Sequence, residues 1–335
     1  MRVAVVSDIH SNWEAFSAVL QDADTWNAQA LWCLGDLLGY GPDPYRCWMV
    51  LADADFPRWL ASPGAWVAGN HDWGMLGLLK SAFFVEGIKG LDGPTLAGDF
   101  GRHAWQVILK QREALRHTAV MDTIARLPLL ASPVPGVYLF HGAYLREPRD
   151  IIGTYTRVPE WAERSLTNLR SFAADPQAFA QDGVARFASQ GWAQPLLMLA
   201  GHTHRACAWQ PRDGNPGEEH WIDHTPYLEH GFQVGIEDLE HRPLFANPGS
   251  VGFSRDCRAG LASYMLVDWG PTGVRLWLRW VEYDPTPTIA KMRAMGTNST
   301  VIQQLEPPRP RGGIFGDAVA VPAVFPVSHR EEKAR

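Results

Sequence analysis

Short apolar runs recur along the chain, and each of them stops at a glycine or a polar side chain. The first run, Val3 to Val6, ends in Ser7-Asp8-Ile9-His10, and the second, Leu31 to Leu34, ends in Gly35-Asp36. Continuous apolar runs of this length between turn residues are typical of buried strands. Because segments with apolar residues at helical spacing follow them, the pattern predicts the strand, loop and helix units of an α/β protein.

Later runs extend this pattern and then change it. Strands are predicted at Trp66 to Ala68, Val137 to Phe140, Pro195 to Ala200 and Leu244 to Ala246. Beyond them, the segment from Ala262 to Tyr283 alternates between apolar and polar residues, which is typical of antiparallel strands. Alternating units up to about residue 204, followed by antiparallel strands, favour two facing sheets with helices outside over a purely parallel sheet.

Helical spacing predicts two insertions between the strands, at about 74–127 and 157–190. A further helix is predicted over 285–305. After residue 306 the composition turns to proline, glycine and charge, which predicts a poorly ordered tail over 306–335. We therefore expect one domain over residues 1–284, followed by a helix and a tail.

Composition and charge narrow the classes of partner. The chain has 335 residues, of which 46% are hydrophobic, and this is enough to bury a full core. Its net charge of -6 and pI of about 6.0 provide no basic surface for stable polynucleotide binding, which needs many phosphate contacts. Small phosphorylated ligands remain compatible with this charge.

Cysteine usage and the first residues suggest a compartment. The four cysteines form no C-x-x-C pair, so neither a zinc ribbon nor a disulfide framework is indicated, and reduced thiols fit the cytosol. The first apolar run is too short for a signal peptide or a membrane span. We therefore expect a cytoplasmic protein without membrane segments.

The motif Gly69-Asn70-His71-Asp72 follows the third strand and resembles an active-site loop. Asn70 offers a neutral oxygen, His71 titrates near neutral pH, and Asp72 can fix the tautomer and orientation of the imidazole. A helix cap explains such a turn equally well when it stands alone. The same alternative applies to Asp8 and His10, which point the same way if their segment is extended.

Chemistry-bearing side chains recur at the ends of successive strands, which is not what helix caps alone would produce. In an open α/β sheet the carboxyl ends of the strands carry the ligand site. Carboxylate, amide and imidazole donors together suit Mn, Fe, Ni or Zn and do not suit a calcium cage. The residues are Asp8, His10, Asp36, Asn70, His71, His141, His202 and His204.

Two later segments carry further expectations. The turn from Asn247 to Gly252 is rich in glycine and can present backbone amides to an anion, with Arg255 close behind it. The polar segment from Pro211 to His241 contains several histidines and acidic residues. A second metal site is conceivable there, but a solvated hairpin loop is the better interpretation.

Five motifs in this order resemble the calcineurin-like metallophosphoesterase superfamily, in particular its small prokaryotic phosphodiesterase-like branch. The resemblance extends over roughly residues 1–283 and implies a four-layer αββα sandwich, with two facing mixed sheets flanked by helices. The motifs are Asp8-Ile9-His10, Gly35-Asp36, Gly69-Asn70-His71-Asp72, His141-Gly142 and Gly201-His202-Thr203-His204.

The resemblance also implies two divalent metal ions, with manganese expected and iron, nickel or zinc compatible. Asp36 would bridge the two ions. The other implied ligands are Asp8, His10 and His204 for the first ion, and Asn70, His141 and His202 for the second.

This resemblance implies attack on phosphorus by a hydroxide that bridges the two ions, which also stabilise the phosphoryl oxygens. His71 is the candidate proton donor or stabiliser of the leaving oxygen, and Asp72 would orient it. Arg255 and Asn70 are candidate substrate contacts. We expect a small nucleotide-type phosphodiester or phosphomonoester as substrate.

Other functions remain open at this point. The protein could be a non-catalytic, metal-bound interaction scaffold of the same fold, or a phosphoprotein phosphatase. A metal-dependent amidohydrolase is less favoured, because the first strand ends in Asp8-x-His10 where that class has two histidines. Tyr40, Trp73 and Phe253 lie beside the motifs and could either stack on a nucleobase or pack the wall of the site.

Overall fold

The computed structural model describes most of the chain, and the account below is restricted to that part. The described residues are 1–52, 65–78, 102–144, 159–174, 187–189, 193–211, 221–231, 233–255, 259–270 and 273–306.

Thirteen strands lie within this part of the chain. They are β1 (Arg2–Val6), β2 (Ala30–Cys33), β3 (Ala65–Trp66), β4 (Leu130–Ser132), β5 (Val137–Leu139), β6 (Phe187–Ser189), β7 (Leu197–Leu199), β8 (Ala206–Pro211), β9 (Trp221–Asp223), β10 (Val234–Ile236), β11 (Leu244–Pro248), β12 (Leu261–Gly270) and β13 (Gly273–Glu282).

The helices of the same residues are fewer and mostly short. They are α1 (Trp13–Thr25), α2 (Pro44–Ala52), α3 (Asn70–Leu76), α4 (Arg102–Leu115), α5 (Ala119–Ile124), α6 (Pro159–Ala174), α7 (Thr225–Glu229), α8 (Thr286–Ala294) and α9 (Ser299–Ile302). None of these described helices is long and apolar enough to cross a membrane.

The strands form two mixed sheets. The first sheet has six strands in the order β10-β13-β12-β1-β2-β3, and the second has seven in the order β6-β4-β5-β7-β11-β8-β9. In the first sheet β1 is parallel to β2 and antiparallel to β12. In the second sheet β7 lies between β5 and β11 and is parallel to both.

The alternation of side chains along the strands explains how the two sheets pack. Val5 of β1 and Leu139 and Leu199 of the second sheet belong to one buried apolar cluster, so the two sheets face each other across it. Their neighbours Ala4 and Val6 point to the opposite side and join a second cluster with residues of α1. Both faces of the inner strands are therefore covered, and the predicted αββα sandwich is confirmed.

Helix α1 covers the outer face of the first sheet through a buried stripe that includes Phe16 and Val19. The N-cap of this helix is Asn12. Its side-chain oxygen accepts a hydrogen bond from the backbone N–H of Ala15 at 3.2 Å. The polar side chain at the cap therefore ends the preceding loop and starts the helix.

The predicted helical insertion at 157–190 is wrong at its end. Helix α6 occupies 159–174, but β6 at 187–189 is a strand that pairs in parallel with β4. Strands of three residues are stabilised by their neighbours, and periodicity over so short a segment cannot distinguish strand from helix. Residues 175–186 lie outside the described part.

The predicted solvated loop from Pro211 to His241 is shorter than expected. Strands β8 and β9 pair antiparallel, and α7 and β10 follow within the same segment. The connection between β8 and β9, residues 212–220, lies outside the described residues.

Not all of the other predicted segments lie within the described residues. Of the insertion at about 74–127, α4 and α5 are helical, whereas 79–101 lies outside the described residues. The helix predicted over 285–305 is two helices, α8 and α9. The predicted tail also lies outside, apart from residue 306, and the single-domain boundary stays a prediction.

Candidate metal centre

The loops that leave five strands meet at one edge of the sandwich and bring the predicted ligands together. Strands β1, β2 and β3 of the first sheet lead into Asp8, Asp36 and Asn70, and strands β5 and β7 of the second lead into His141 and His202. All the predicted ligands are buried, with Asn70 and His202 the most accessible at 6%. The site therefore depends on both sheets.

Backbone conformation is unusual at these positions. Five of the seven predicted ligands have a positive φ, and a non-glycine residue in this region costs about 1–3 kcal/mol. The expectation of an extended Asp8–His10 segment is therefore wrong, because the side chains converge through left-handed backbone. The angles are 53° at Asp8, 48° at His10, 54° at Asp36, 65° at His202 and 59° at His204.

One group of donors consists of Asp8, His10 and His204. Oδ1 of Asp8 lies 3.2 Å from Nε2 of His204 and 3.7 Å from Nε2 of His10. The two Nε2 atoms of the histidines lie 3.1 Å apart. These three atoms surround a single point, as the ligands of one ion do.

A second group consists of Asp36, His141 and His202, with Asn70 beside it. Oδ1 of Asn70 lies 3.1 Å from Nε2 of His141. Oδ2 of Asp36 lies 3.4 Å from Nε2 of His141 and 3.6 Å from Nε2 of His10 in the first group. Asp36 therefore lies between the two groups, and His202 and His204 fall one in each.

Three histidines have their tautomer set by backbone carbonyl oxygens. A carbonyl only accepts hydrogen bonds, so each Nδ1 carries a proton and each ring directs its Nε2 into the cluster. The pairs are His10 with Leu38 at 3.0 Å, His141 with Leu34 at 2.7 Å and His204 with Phe253 at 2.5 Å.

Asp8 is oriented in the same way. Its Oδ2 accepts hydrogen bonds from Oγ of Ser7 at 2.7 Å and from the backbone N–H of His202 at 3.0 Å. Its Oδ1 is buried and accepts no hydrogen bond of good geometry from any residue of the described part. That oxygen faces the lone pairs of two imidazoles.

Such an arrangement of acceptors fits a divalent cation. Lone pairs about 3 Å apart repel one another unless a proton or a cation lies between them. Donors at about 2.0–2.2 Å from a common ion lie roughly 3.0–3.5 Å from each other, which is close to the separations in both groups. The residues present can therefore hold the metal ions that the sequence implies.

Burial and mutual interaction shift the pKa values in this cluster. Burial lowers the pKa of His10 well below its usual value and that of His202 to about 3. Burial opposes ionisation of Asp36, but the neighbouring His141 and His71 hold its pKa well below the usual range. Neutral imidazoles and an ionised carboxylate are the forms that bind metals.

His141 behaves differently from the other imidazoles. Burial acts to lower its pKa, but the negative charge of Asp36 and a hydrogen bond to it dominate and raise the pKa to about 9. In the metal-free protein this ring is therefore protonated at neutral pH. Metal binding at the second group must release that proton.

His71 lies at the edge of the first group. Its backbone N–H donates to Oδ1 of Asp36 at 2.8 Å, and its ring centroid lies 4.6 Å from that of His10 and 4.7 Å from that of Tyr40. Burial lowers its pKa to about 4. One ring nitrogen can also share a metal with His10 and Asp36, so the position suits either a ligand or a catalytic group.

The carboxylate of Asp72 does not contact the imidazole of His71, contrary to the prediction. In the described part its carboxylate accepts only backbone hydrogen bonds, from Gly69 and Asp36 at 3.0 Å and from Leu38 at 3.2 Å. Burial and the charge of Asp36 raise its pKa to about 7. Asp72 therefore joins the loops after β2 and β3 and acts on His71 only through the backbone.

The glycine-rich turn does not present its amides to an anion, which corrects the prediction. Ser and Asn side chains and the Asp8 loop satisfy these amides instead, so the turn braces that loop. The N–H of Gly249 donates to Asn247 Oδ1, that of Ser250 to Ser263 Oγ, that of Val251 to the carbonyl of Ser7 and that of Gly252 to the carbonyl of Asp8.

Two supporting side chains were missed by the sequence reasoning. Nδ2 of Asn247 donates to the carbonyl of Gly201 at 2.8 Å and to Oγ1 of Thr203 at 3.1 Å. Oγ of Ser250 donates to the carbonyl of Asp8 at 2.9 Å. The only available signal was that two polar residues directly follow a buried strand, as the ligands themselves do.

The structure gives different outcomes for the predicted substrate contact Arg255 and for the three aromatic residues beside the motifs. The backbone N–H of Arg255 donates to the carbonyl of His204 at 3.1 Å, so the backbone of this half-buried residue lies beside the site. Its role in substrate binding stays a prediction. Phe253 is fully buried and Trp73 is 8% exposed, which favours wall packing over base stacking for both. Tyr40 is half-buried and packs against Phe253 with ring centroids 5.3 Å apart.

Known proteins have sequences similar to parts of this chain. The family described as calcineurin-like phosphoesterase matches residues 1–206, a segment that contains every predicted ligand from Asp8 to His204. An uncharacterised protein of Methanocaldococcus jannaschii is 43% identical over 82 residues, which are 24% of this chain and 30% of that protein. This chain therefore matches less than a third of that relative's length.

Solved structures show the same fold. A metallophosphoesterase from Sphaerobacter thermophilus is 25% identical with a TM-score of 0.56, covering 91% of this chain and 98% of that one. A hypothetical protein from Pyrococcus horikoshii OT3 is 14% identical with a TM-score of 0.59, covering 91% and 97%. Since the family match extends over more than half of the sequence, this chain belongs to the calcineurin-like phosphoesterase family.

Proposed function

We propose that this protein hydrolyses a small phosphodiester or phosphomonoester of nucleotide type, using two divalent metal ions. The observation that carries the proposal is the position of Asp36 Oδ2, 3.6 Å from the imidazole of His10 and 3.4 Å from that of His141. One carboxylate that faces both donor groups is the arrangement a dinuclear centre needs. When bound, the two ions supply Lewis-acid activation of water and stabilise charge on the phosphoryl group.

The chain's own residues prepare the centre before any substrate binds. Asp8, His10 and His204 would hold the first ion, and Asn70, His141 and His202 the second. The carbonyl partners of the histidines and the two donors to Asp8 Oδ2 fix these ligands in one orientation, which limits reorganisation during the reaction. Mixed oxygen and nitrogen donors are compatible with manganese, iron, nickel and zinc, and manganese is the ion proposed here.

His71 would act on the oxygen where negative charge develops. With a pKa of about 4 its imidazole is neutral at pH 7 and retains one N–H. A neutral imidazole can donate that hydrogen bond to a phosphoryl or leaving oxygen without first taking up a proton. We therefore assign His71 to stabilisation of the leaving oxygen, with Asp72 positioning its loop.

The proposed substrate class has weaker support than the chemistry. The net charge of -6 argues against long nucleic acids, and half-buried Tyr40 leaves part of an aromatic ring beside His10 and His71. Arg255 and Asn70 would contact the phosphoryl group. A small nucleotide-type ester would place its base against this aromatic ring and is compatible with the negative net charge.

Hydrolysis of two reporter esters tests this proposal. Metal-stripped protein reloaded with Mn²⁺ would be assayed with bis-p-nitrophenyl phosphate and p-nitrophenyl phosphate, beside Asp36→Asn. Asp238→Asn is the matched control, because Asp238 is exposed and pairs with His241 away from the centre. We expect turnover that requires metal, persists in the control and is lost in Asp36→Asn.

The result also decides between the remaining functions. Preference for the diester supports a phosphodiesterase, and preference for the monoester supports a phosphatase, including one that acts on phosphoproteins. A well-folded wild-type protein that binds two Mn²⁺ ions but hydrolyses neither ester would contradict the proposal and favour the interaction scaffold.

A further inference from the structure

Gln111 is a buried polar residue in an apolar stripe of α4. Its neighbours at helical spacing, Ala104, Ile108 and Leu115, are buried apolar residues, and Gln111 itself is only 2% exposed. A primary amide at such a position costs free energy unless its donors and acceptor are all paired. The partners of Gln111 therefore show what this residue is for.

Those partners belong to the loop that follows β2. Nε2 of Gln111 donates to the carbonyl oxygens of Gly39 at 2.5 Å and Gly41 at 2.6 Å, and Oε1 accepts the N–H of Gly39 at 3.1 Å. Oγ of Ser11 lies 3.3 Å from the same nitrogen. One side chain thus fixes three backbone groups at two glycines of this loop.

This loop lies directly against two imidazoles of the metal centre. The φ of Gly39 is +130°, and a Cβ there would overlap Nδ1 of His10 and lie 2.7 Å from Nδ1 of His71. The N–H of Gly41 donates to the carbonyl of His10 at 2.7 Å. Any shift of the loop therefore moves the two rings that contact it.

We propose that Gln111 is a positioning residue for the metal centre, which it controls by holding the Gly39–Gly41 loop against His10 and His71. The inference rests on the proposed function in taking His10 as a metal ligand. Helix α4 lies in one of the predicted insertions, so this insertion contributes to the geometry of the first metal group.

A purely structural role would give Gln111 the same hydrogen bonds, and Gln210 provides the matched control. Gln210 is 3% exposed, its Nε2 donates to the carbonyl of Arg242 at 2.9 Å, and its Oε1 lies 3.3 Å from Nε2 of His224. Neither partner is a predicted ligand, since His224 follows β9 and Arg242 precedes β11. Loss of either glutamine leaves buried polar groups unpaired, and both losses should lower stability.

Metal binding separates the two roles. Mn²⁺ titration by calorimetry and the visible spectrum of Co²⁺-loaded protein would be compared for wild type, Gln111→Ala and Gln210→Ala. We expect Gln111→Ala to weaken binding of one ion about 10–100-fold and to change the Co²⁺ spectrum. Loss of a residue that orients a metal ligand typically lowers metal affinity by this factor. Gln210→Ala should lower stability without changing metal affinity.

Equal metal affinity in the two variants would overturn the proposal. If Gln111→Ala does not fold, the pair Gln111→Met and Gln210→Met fills both sites with side chains of similar size and decides the same contrast. Failure of the proposed function has a different signature, because a wild type that binds both ions without hydrolysing esters leaves the affinity contrast intact.

Discussion

Asp36 and His71 illustrate how much chemistry a single residue carries in this centre. Oδ1 of Asp36 is used by the backbone N–H of His71, and its Oδ2 faces both donor groups. The same carboxylate would therefore hold both proposed ions, and it fixes the start of the helix that carries His71. Substitutions at the two residues should have different consequences.

Replacement of His71 by alanine tests its role as a hydrogen-bond donor to the reacting oxygen. We expect kcat to fall about 10²–10³-fold, the typical loss when one preorganised donor is removed. Two Mn²⁺ ions should still bind, with His230→Ala, at an exposed histidine, as the control. Loss of one ion in His71→Ala would instead make His71 a ligand of the first group.

The buried histidines predict how the stability of the metal-free protein depends on pH. Burial depresses the pKa of His10, of His71 to about 4 and of His202 to about 3, from a usual value of 6.5. Between about pH 6.5 and 4 the unfolded chain therefore binds protons that the folded chain cannot, and stability falls as pH falls. Asp72 opposes this, because its pKa is raised to about 7, but three imidazoles outweigh one carboxyl.

Urea unfolding in the presence of EDTA at pH 6.5 and pH 4.5 measures this effect. We expect a lower free energy of unfolding at pH 4.5, and a smaller difference for His71→Gln, which removes one of the three depressed imidazoles. Equal stability at both pH values would contradict the neutral state of these three histidines.

At the scale of elements, the loops after β2 and β3 approach each other more closely than any side chain would allow. A Cβ at Gly69 would overlap Oδ1 of Asp36 and lie 2.5 Å from its backbone nitrogen. This contact brings the helix start of α3 beside the bridging carboxylate. Glycine at this position is therefore a steric requirement of the centre.

Gly69→Ala should displace Asp36 and lower both metal affinity and activity, by about 10-fold or more in each, since ligand orientation has effects of this size. Gly235→Ala is the control, because Gly235 lies in β10 and the nearest atom to a Cβ there is 4.0 Å away. Calorimetric Mn²⁺ titration and diester hydrolysis would measure the contrast. Comparable behaviour of the two variants would argue against this contact.

The elements also show what sequence alone can predict. Apolar runs such as Val3 to Val6 identify strands that are buried on both faces, and the motifs indicate candidate ligands because their residue types are specific to the chemistry. Strand β4 pairs with its near neighbour β5, but β4 and β6, with three residues each, also pair with each other across a long stretch of chain. Their existence follows from sheet pairing, which local periodicity does not encode.

The supporting contacts of the centre were beyond sequence reasoning for another reason. The imidazole of His10 is oriented by the carbonyl of Leu38, and every residue type supplies a carbonyl. The left-handed backbone at Asp8 likewise has no marker, because glycine is the residue that usually signals it. Gln111 did have a signal, a polar residue within an apolar helical stripe, but that pattern does not reveal its partners.

At the scale of the whole molecule, the centre connects the two sheets. Asp8 and Asp36 come from the first sheet, and His141 and His202 from the second. Ions held by ligands from both sheets bind only when the sheets are packed together, so metal binding is linked to folding.

Metal should therefore stabilise the protein strongly. An ion at 100 times its dissociation constant adds about 2.7 kcal/mol to the free energy of unfolding, and two ions add up to about twice that. We expect a clear rise in the thermal midpoint with Mn²⁺ over EDTA, and a smaller rise for Asp36→Asn. An unchanged midpoint in the wild type would contradict a site shared between the sheets.

The brace on the Asp8 loop has a consequence for synthesis of the chain. Oγ of Ser250 donates to the carbonyl of Asp8, 242 positions earlier in the chain. Strand β1 likewise pairs with β12, which is synthesised much later. At roughly 5–20 residues per second, translation separates these partners by about ten to fifty seconds. During that interval the first predicted ligands leave the ribosome without their support, so the completed centre assembles only after β12 has been synthesised.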